Sequence, residues 1–229
     1  MNKALEELIR KELGDAAAKT VADVLGNPQL APHVINNSWG CPPSEGCTAP
    51  TILQTVVENV RNAGILVVVS AGNSGSACST VVDPPAIYAA SFSVGAVSGT
   101  AMASFSSRGP VTIDGSNRLK PDIVAPGVST RSSVPGGGYG TKSGTSMAGP
   151  HVAGVAALLM SVDPTLKRDP ARLEALIRGT AIPDTVTAQT CGGTVSPTTI
   201  PNNTFGYGRI DALQAARNLQ GNFGATGFE

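Results

Sequence analysis

Gly144-Thr145-Ser146-Met147-Ala148-Gly149-Pro150-His151, continued by Val152-Ala153-Gly154-Val155-Ala156-Ala157-Leu158-Leu159-Met160, is the stretch that decides how the chain is read. A Gly-rich approach, Gly136-Gly137-Gly138-Tyr139-Gly140, leads into it. After Ser146 the residues are small or apolar, with no carboxylate, lysine or arginine before Asp163. That pattern predicts a buried helix with Ser146 in its first turn. There the hydroxyl lies near the positive end of the helix dipole, where an alkoxide or oxyanion is favoured. Small neighbours let a substrate backbone approach closely. A serine in such a place also serves as an ordinary N-cap of a core helix, so its surroundings must decide.

Several further blocks occur in order around it. They are Val34-Ile35-Asn36-Asn37-Ser38-Trp39-Gly40, Val67-Val68-Val69-Ser70-Ala71-Gly72-Asn73, Ser104-Phe105-Ser106-Ser107-Arg108-Gly109-Pro110, Lys120-Pro121-Asp122-Ile123-Val124-Ala125-Pro126-Gly127 and Phe205-Gly206-Tyr207-Gly208-Arg209-Ile210-Asp211. With the Gly-Thr-Ser-Met-Ala-Gly-Pro-His motif, they make the chain resemble the subtilisin-like serine proteases from about Val34 to about Ala216. The resemblance implies an α/β fold: a mostly parallel sheet of about four core strands, flanked by helices. It implies Ser146 as nucleophile and Asn73 as the side-chain donor of the oxyanion hole. It implies that the substrate backbone lies along Ser38-Trp39-Gly40. The pocket for the side chain before the cleaved bond would be lined near Ser70-Ala71-Gly72 and by Val82, which suggests apolar side chains. Asp83-Pro84-Pro85 would border it, with Pro84 a candidate for a cis bond. Read without the resemblance, Asn73 is a turn residue tolerating left-handed backbone.

Serine hydrolysis of a peptide needs a nucleophile, a general base, a group that orients the base, and oxyanion donors. The family order is Asp, then His, then Ser. Its Asp-Ser/Thr-Gly and His-Gly-Thr motifs should fall before Val34, and neither occurs in the sequence. His33 precedes the strand that opens at Val34, so it is expected at the wrong edge of the sheet. His151 shares the helix of Ser146 and belongs to the family motif as a structural residue. Asp15 and Asp23 lack the context of the orienting Asp. The expectation is therefore the C-terminal portion of a serine endopeptidase domain, inactive alone. The alternative is a non-catalytic peptide-binding module, or a fragment that completes a partner chain.

The length of 229 residues allows one large domain with a sizeable core. Sixteen basic and 16 acidic residues cancel, which gives no electrostatic case for nucleic acid or an anionic membrane. Only 14% of residues are charged, against 27 Gly and 17 Pro, so tightly shaped loops are expected. The apolar runs read as too short to span a membrane, and no secretory signal is present. The 4 cysteines and 2 histidines lack zinc spacing. No metal site and no cofactor are expected; calcium belongs to the family, but no acidic cluster here supports it. Cys41 and Cys47 enclose a short Pro/Gly loop that suits a local disulfide, which leaves Cys78 for Cys191. Two disulfides would place the chain outside the cytoplasm; four reduced structural thiols are the competing reading.

In chain order, residues 1–30 read as a helical segment, with Leu5, Leu8, Ile9 and Leu13 on one stripe. This segment is either engineered or grafted, or a natural variable helix. Residues 31–219 read as the partial peptidase domain, and 220–229 as a flexible tail. Strands are expected at Val34–Trp39, Ile65–Ser70, Ala90–Val97 and Asp122–Ala125. Helices are expected at Pro50–Ala63, Pro150–Ser161, Pro170–Thr180 and Arg209–Leu219. In the family the strand at Val34 pairs with an earlier strand, so its open edge, Val34 to Asn37, is expected to promote dimerisation or association. A peptide or protein substrate is the expected partner.

Overall fold

The computed structural model describes residues 30–184, 186–192 and 198–224. The chain divides into two units, 1–33 and 34–229. The helix expected from Asn2 to Leu25 lies outside the described residues. The sheet and its helices belong to the second unit.

The centre of that unit is an apolar run whose alternate residues face opposite ways. Strand β2, Leu66–Ser70, is buried throughout. Leu66 and Val68 join one apolar cluster, while Val67 and Val69 join another. Side chains alternate across a strand, so a run of branched residues with both faces covered is the mark of a parallel sheet's interior. β2 lies between β1, Val34–Asn37, and β3, Phe92–Ser98, and pairs parallel with both. A further strand, Ile123–Pro126 (β5), pairs parallel with the other side of β3. Ala101–Met102 (β4) adds a short antiparallel pairing to the end of β3 and completes a five-stranded sheet. The mostly parallel sheet flanked by helices agrees with the sequence expectation. A separate hairpin, Thr130–Val134 (β6) with Gly138–Lys142 (β7), accounts for the Gly-rich approach: Gly136 and Gly137 sit at positive φ in its turn. Nothing in the sequence reading foresaw that pairing.

One face of the sheet carries α2, Thr145–Val162, with Ala148, Val152, Ala156 and Leu159 buried against it. This helix has 18 residues and a mean hydropathy of 1.3, enough by length and composition to cross a membrane, contrary to the expectation of short runs. Its apolar stripe is instead spent on the core, together with Pro170–Gly179 (α3) and Ala212–Gly224 (α4). The other face is covered by Gln54–Asn62 (α1) and the segment around Val81, Ile87 and Tyr88. α1 begins four residues later than expected. Its sheet-facing stripe is Leu53, Val57 and Val60, whereas Ile52 and Val56 are about half exposed. The Tyr88 hydroxyl accepts the Leu53 N–H, which holds the entry to the helix in place.

Other boundaries moved for local reasons. α4 starts at Ala212 rather than Arg209 because the Asp211 carboxylate accepts the Gln214 N–H as an N-cap. It also runs to Gly224, so the tail expected from Gln220 is helical for its first residues. The cis bond in the Pro-Pro turn precedes Pro85, not Pro84. Both expected disulfides are present, Cys41–Cys47 and Cys78–Cys191. The second closes 113 residues, where loop-closure entropy alone is worth about 4–5 kcal/mol.

At the N-terminal ends of β3 and β5 a charged network is sunk into the fold. Lys120 is 1% exposed. Its ammonium donates to the Ser91 carbonyl at 2.6 Å and to Asp122. Asp122 also accepts from the Ser93 N–H and from Arg178, each at 2.7 Å. Arg178 in turn lies over the rings of Phe92 and Tyr207. Burial pushes the Lys120 ammonium down and Asp122 opposes it. Removing one member of a buried pair leaves its partner poorly compensated. We expect Lys120→Met to lose about 3 kcal/mol in urea unfolding; a loss under 1 kcal/mol would mean that Arg178 and the Ser93 N–H satisfy Asp122 without the lysine.

Candidate active site

The site is assembled where two chain segments leave the C-terminal edge of the sheet and meet the start of α2, at the edge where open parallel sheets bind ligands. The segment after β1 brings Ser38, Trp39 and Gly40. The segment after β2 brings Ala71, Gly72 and Asn73. The first turn of α2 brings Ser146. All of these, with Ser70, line one cavity of about 230 Å³.

Ser146 is positioned by a gap in its own helix. Pro150 lies four residues on and has no N–H, so the Ser146 carbonyl lacks its usual helical donor. The Ser38 hydroxyl donates to that carbonyl at 3.0 Å, and the Asn36 side-chain amide donates to the Ser38 hydroxyl at 2.9 Å. In return the Ser146 hydroxyl donates to the Ser38 carbonyl at 3.3 Å. The fit is tight: a Cβ at Gly149 would stand 2.7 Å from Asn36 Oδ1. The end of β1 is thereby fixed against the start of α2.

Asn73 is oriented by Thr145. Its carbonyl oxygen accepts both the Thr145 N–H, at 2.9 Å, and the Thr145 hydroxyl, at 3.0 Å. The assignment of oxygen and nitrogen follows from those donors. The amide NH₂ is left to point elsewhere, and a probe atom placed on the Gly144 Cα would be 3.7 Å from both Asn73 Nδ2 and the Ser146 backbone nitrogen. Both nitrogens thus lie near one point beside the serine. The loop that carries Asn73 is buttressed by Ser107, whose N–H donates to the Gly72 carbonyl and whose hydroxyl accepts the Ser74 N–H. Gly72 sits at φ +105°, and a Cβ there would be 2.9 Å from the Ser107 hydroxyl oxygen, so the Ser104–Pro110 block and Gly72 require each other.

His151 is engaged within its own helix. His151 has Nδ1 2.9 Å from the Met147 carbonyl, one turn back in its own helix. His33 belongs to the other unit. Among the described residues, no three His, Cys, Asp or Glu side chains converge as a metal-binding group. Val82 does not line the cavity; Asp83, Pro42 and Ala86 do. The lining therefore includes one acidic residue. Sequence reasoning also missed Thr145 and the Ser38 hydroxyl, although Pro150 four residues after Ser146 already marks a carbonyl in need of a donor.

A site of this geometry has clear relatives among known proteins. The chain matches the Peptidase_S8 profile, the subtilase family, over residues 5–208. It belongs to the subtilase family. It is 48% identical over 134 residues to Subtilisin of Bacillus pumilus, covering 58% of this chain and 44% of that protein. It is 39% identical over 202 residues to Bacillopeptidase F of Bacillus subtilis (strain 168), covering 84% of this chain and 13% of that protein. The chain thus spans less than half the length of these relatives. Among solved structures it resembles the prenylagaramide maturation protease PagA, with a TM-score of 0.65, 26% identity and coverage of 90% of this chain and 68% of that one. The self-cleaved protease domain of PatA is similar, with a TM-score of 0.62, 28% identity and coverage of 88% and 66%.

Burial raises the Asp83 carboxyl above its usual range. The folded chain then holds that proton more tightly than the unfolded chain does. Stability therefore falls as pH rises from the ordinary value of about 4 through the raised one. We expect Asp83→Asn to be more stable than the parent at pH 7 and equal to it below about pH 4, as read by urea unfolding at the two pH values. A variant no more stable at pH 7 would show that the carboxylate is fully solvated.

Proposed function

We propose that this chain carries the nucleophile and oxyanion half of a serine endopeptidase site acting on peptides or proteins. Ser146 is the nucleophile, and the Ser146 N–H with the Asn73 amide are the oxyanion donors. The substrate backbone lies along Ser38, Trp39 and Gly40, and the side chain before the cleaved bond enters the cavity by Ser70, Ala71 and Gly72. The observation that carries the reading is the double hydrogen bond from Thr145, which commits Asn73 to present its NH₂ beside the Ser146 N–H. The general base and its orienting carboxylate come from outside residues 31–219, so this domain alone does not cleave peptides. The paired cysteines support an oxidising, extracytoplasmic setting. Among the described strands, β1 pairs only with β2, and its other edge is where a second copy or a completing chain would add a strand.

A second reading, a peptide-binding module without chemistry, is favoured by one contact: the Ser146 hydroxyl donates to the Ser38 carbonyl instead of to a base. Activated esters separate the two, because their leaving group needs no protonation. We expect slow p-nitrophenyl acetate hydrolysis that Ser146→Ala abolishes, while casein is cleaved no faster than by Ser146→Ala. Ester hydrolysis independent of Ser146 would favour the binding module, and casein cleavage that depends on Ser146 would show that a base is present in this chain. For the open edge, light scattering over a concentration series should show association that Ile35→Pro weakens; a monomer at all concentrations removes that part of the proposal.

A further inference from the structure

Asp83 stands in the candidate pocket without a partner. Among the described residues its carboxylate has no cation within ion-pair distance and accepts no hydrogen bond. Among the described residues it is also the only charged one lining the cavity. Its position is set by its neighbours. The Pro84 carbonyl accepts the Cys41 N–H at 2.8 Å, which ties the turn to the Ser38–Cys41 segment. A Cβ at Gly40 would stand 3.2 Å from the Asp83 Cβ and 3.8 Å from its Oδ2, so the Asp83 side chain lies against the bare Gly40 backbone. Desolvation is the one effect acting on its ionisation. A half-buried carboxylate with nothing to offset that desolvation is a group waiting for a cation.

We infer that Asp83 makes this pocket a receptor for the basic side chain, arginine or lysine, of a bound peptide. The inference rests on the reading of the cavity as a peptide site and names the residue class it selects. Ser38 touches Ser146 and Gly40 adjoins Asp83, and two residues of chain span at most about 7 Å. Ser146 and Asp83 also line one cavity of about 230 Å³, so a side chain that fills it from a backbone held beside Ser146 meets Asp83. The cavity of about 230 Å³ is smaller than the usual small-molecule pocket of about 300–1,000 Å³ and suits a single side chain. A divalent metal is the poorer match, because a lone carboxylate supplies too few of the oxygen ligands such an ion takes. An ammonium or a guanidinium is satisfied by one carboxylate with nearby hydroxyls, and Ser38 and Ser70 line the same cavity.

The test uses the full chain and acetyl-Gly-Ala-Ala-Xaa amides with Xaa as arginine, lysine, citrulline, norleucine or glutamate. Affinity is read by NMR titration at pH 7, following the amides of Ser146 and Asn73. Citrulline has the shape of arginine without its charge, so the Arg-to-citrulline ratio isolates the ion pair. We expect arginine and lysine to bind about tenfold or more tightly than citrulline and norleucine, as a charge-assisted hydrogen bond implies. Asp83→Asn should bring the Arg-to-citrulline ratio to about one, and Asp83→Lys should turn the preference toward glutamate. If the peptides shift Ser146 and Asn73 with an Arg-to-citrulline ratio near one in the parent chain, the basic preference is wrong and the peptide site stands. If the preference exists but survives Asp83→Asn, its source is another residue and the assignment to Asp83 fails. If no peptide shifts those amides, the peptide-site reading fails, and this inference with it.

Discussion

The docking of the first turn of α2 against the C-terminal edge of the sheet is the constraint on which the rest depends. It works because certain positions have no Cβ. At Gly149 a Cβ would meet Asn36, and at Gly127 it would lie 2.6 Å from the Ala96 Cβ and 2.8 Å from the Gly144 carbonyl. Those contacts bring helix and strands closer than side chains allow elsewhere. The helix then carries Ser146 to the point where β1 and β2 release their loops. Pro150 adds a directional element: by leaving the Ser146 carbonyl without a helical donor, it gives Ser38 a reason to be there. Glycine and proline, usually breakers of regular structure, here set the geometry of a functional turn.

The opposite end of the sheet is held by different physics. Lys120, Asp122 and Arg178 join the starts of β3 and β5 to α3 through charged hydrogen bonds in a buried setting. Such a network is poor evidence of net stability, because desolvation offsets much of the attraction. What it supplies is direction, since each group accepts only particular partners. Apolar packing above and below the sheet is less selective and tolerates shifts of register. The site at one edge therefore rests on a sheet whose other edge is pinned by bonds that do not slide.

Between these ends the candidate pocket departs from its apolar expectation. Asp83, which precedes the two prolines of the turn, lines the cavity with a charged residue. The carboxylate bears a desolvation cost in the free chain that nothing among the described residues relieves. Structures commonly tolerate such a cost at places where a ligand will relieve it. The same cavity has hydroxyls, an aromatic residue and a carboxylate on its walls, which is a chemically mixed surface for one side chain.

The sequence by itself determined the family, the parallel sheet and the placement of Ser146. Those rest on local signals: a buried β-branched run at residues 66–70, an uncharged helix opening at Ser146, and ordered motif blocks. The pairing of cysteines was also within its reach, because a six-residue separation around a Pro/Gly loop left one other choice. The segment before residue 30 was read only as sequence. Tertiary structure alone decided which way Asn73 faces, because Thr145 and Asn73 are 72 residues apart and meet only when β2 and α2 pack. It decided the role of the Ser38 hydroxyl, whose acceptor is 108 residues away. It decided that Asp83 joins the cavity lining, because outside regular strands no periodicity tells which residue meets a cavity. Local periodicity reveals which residues are buried; orientation depends on long-range hydrogen bonds and close contacts, and those exist only once the chain has folded.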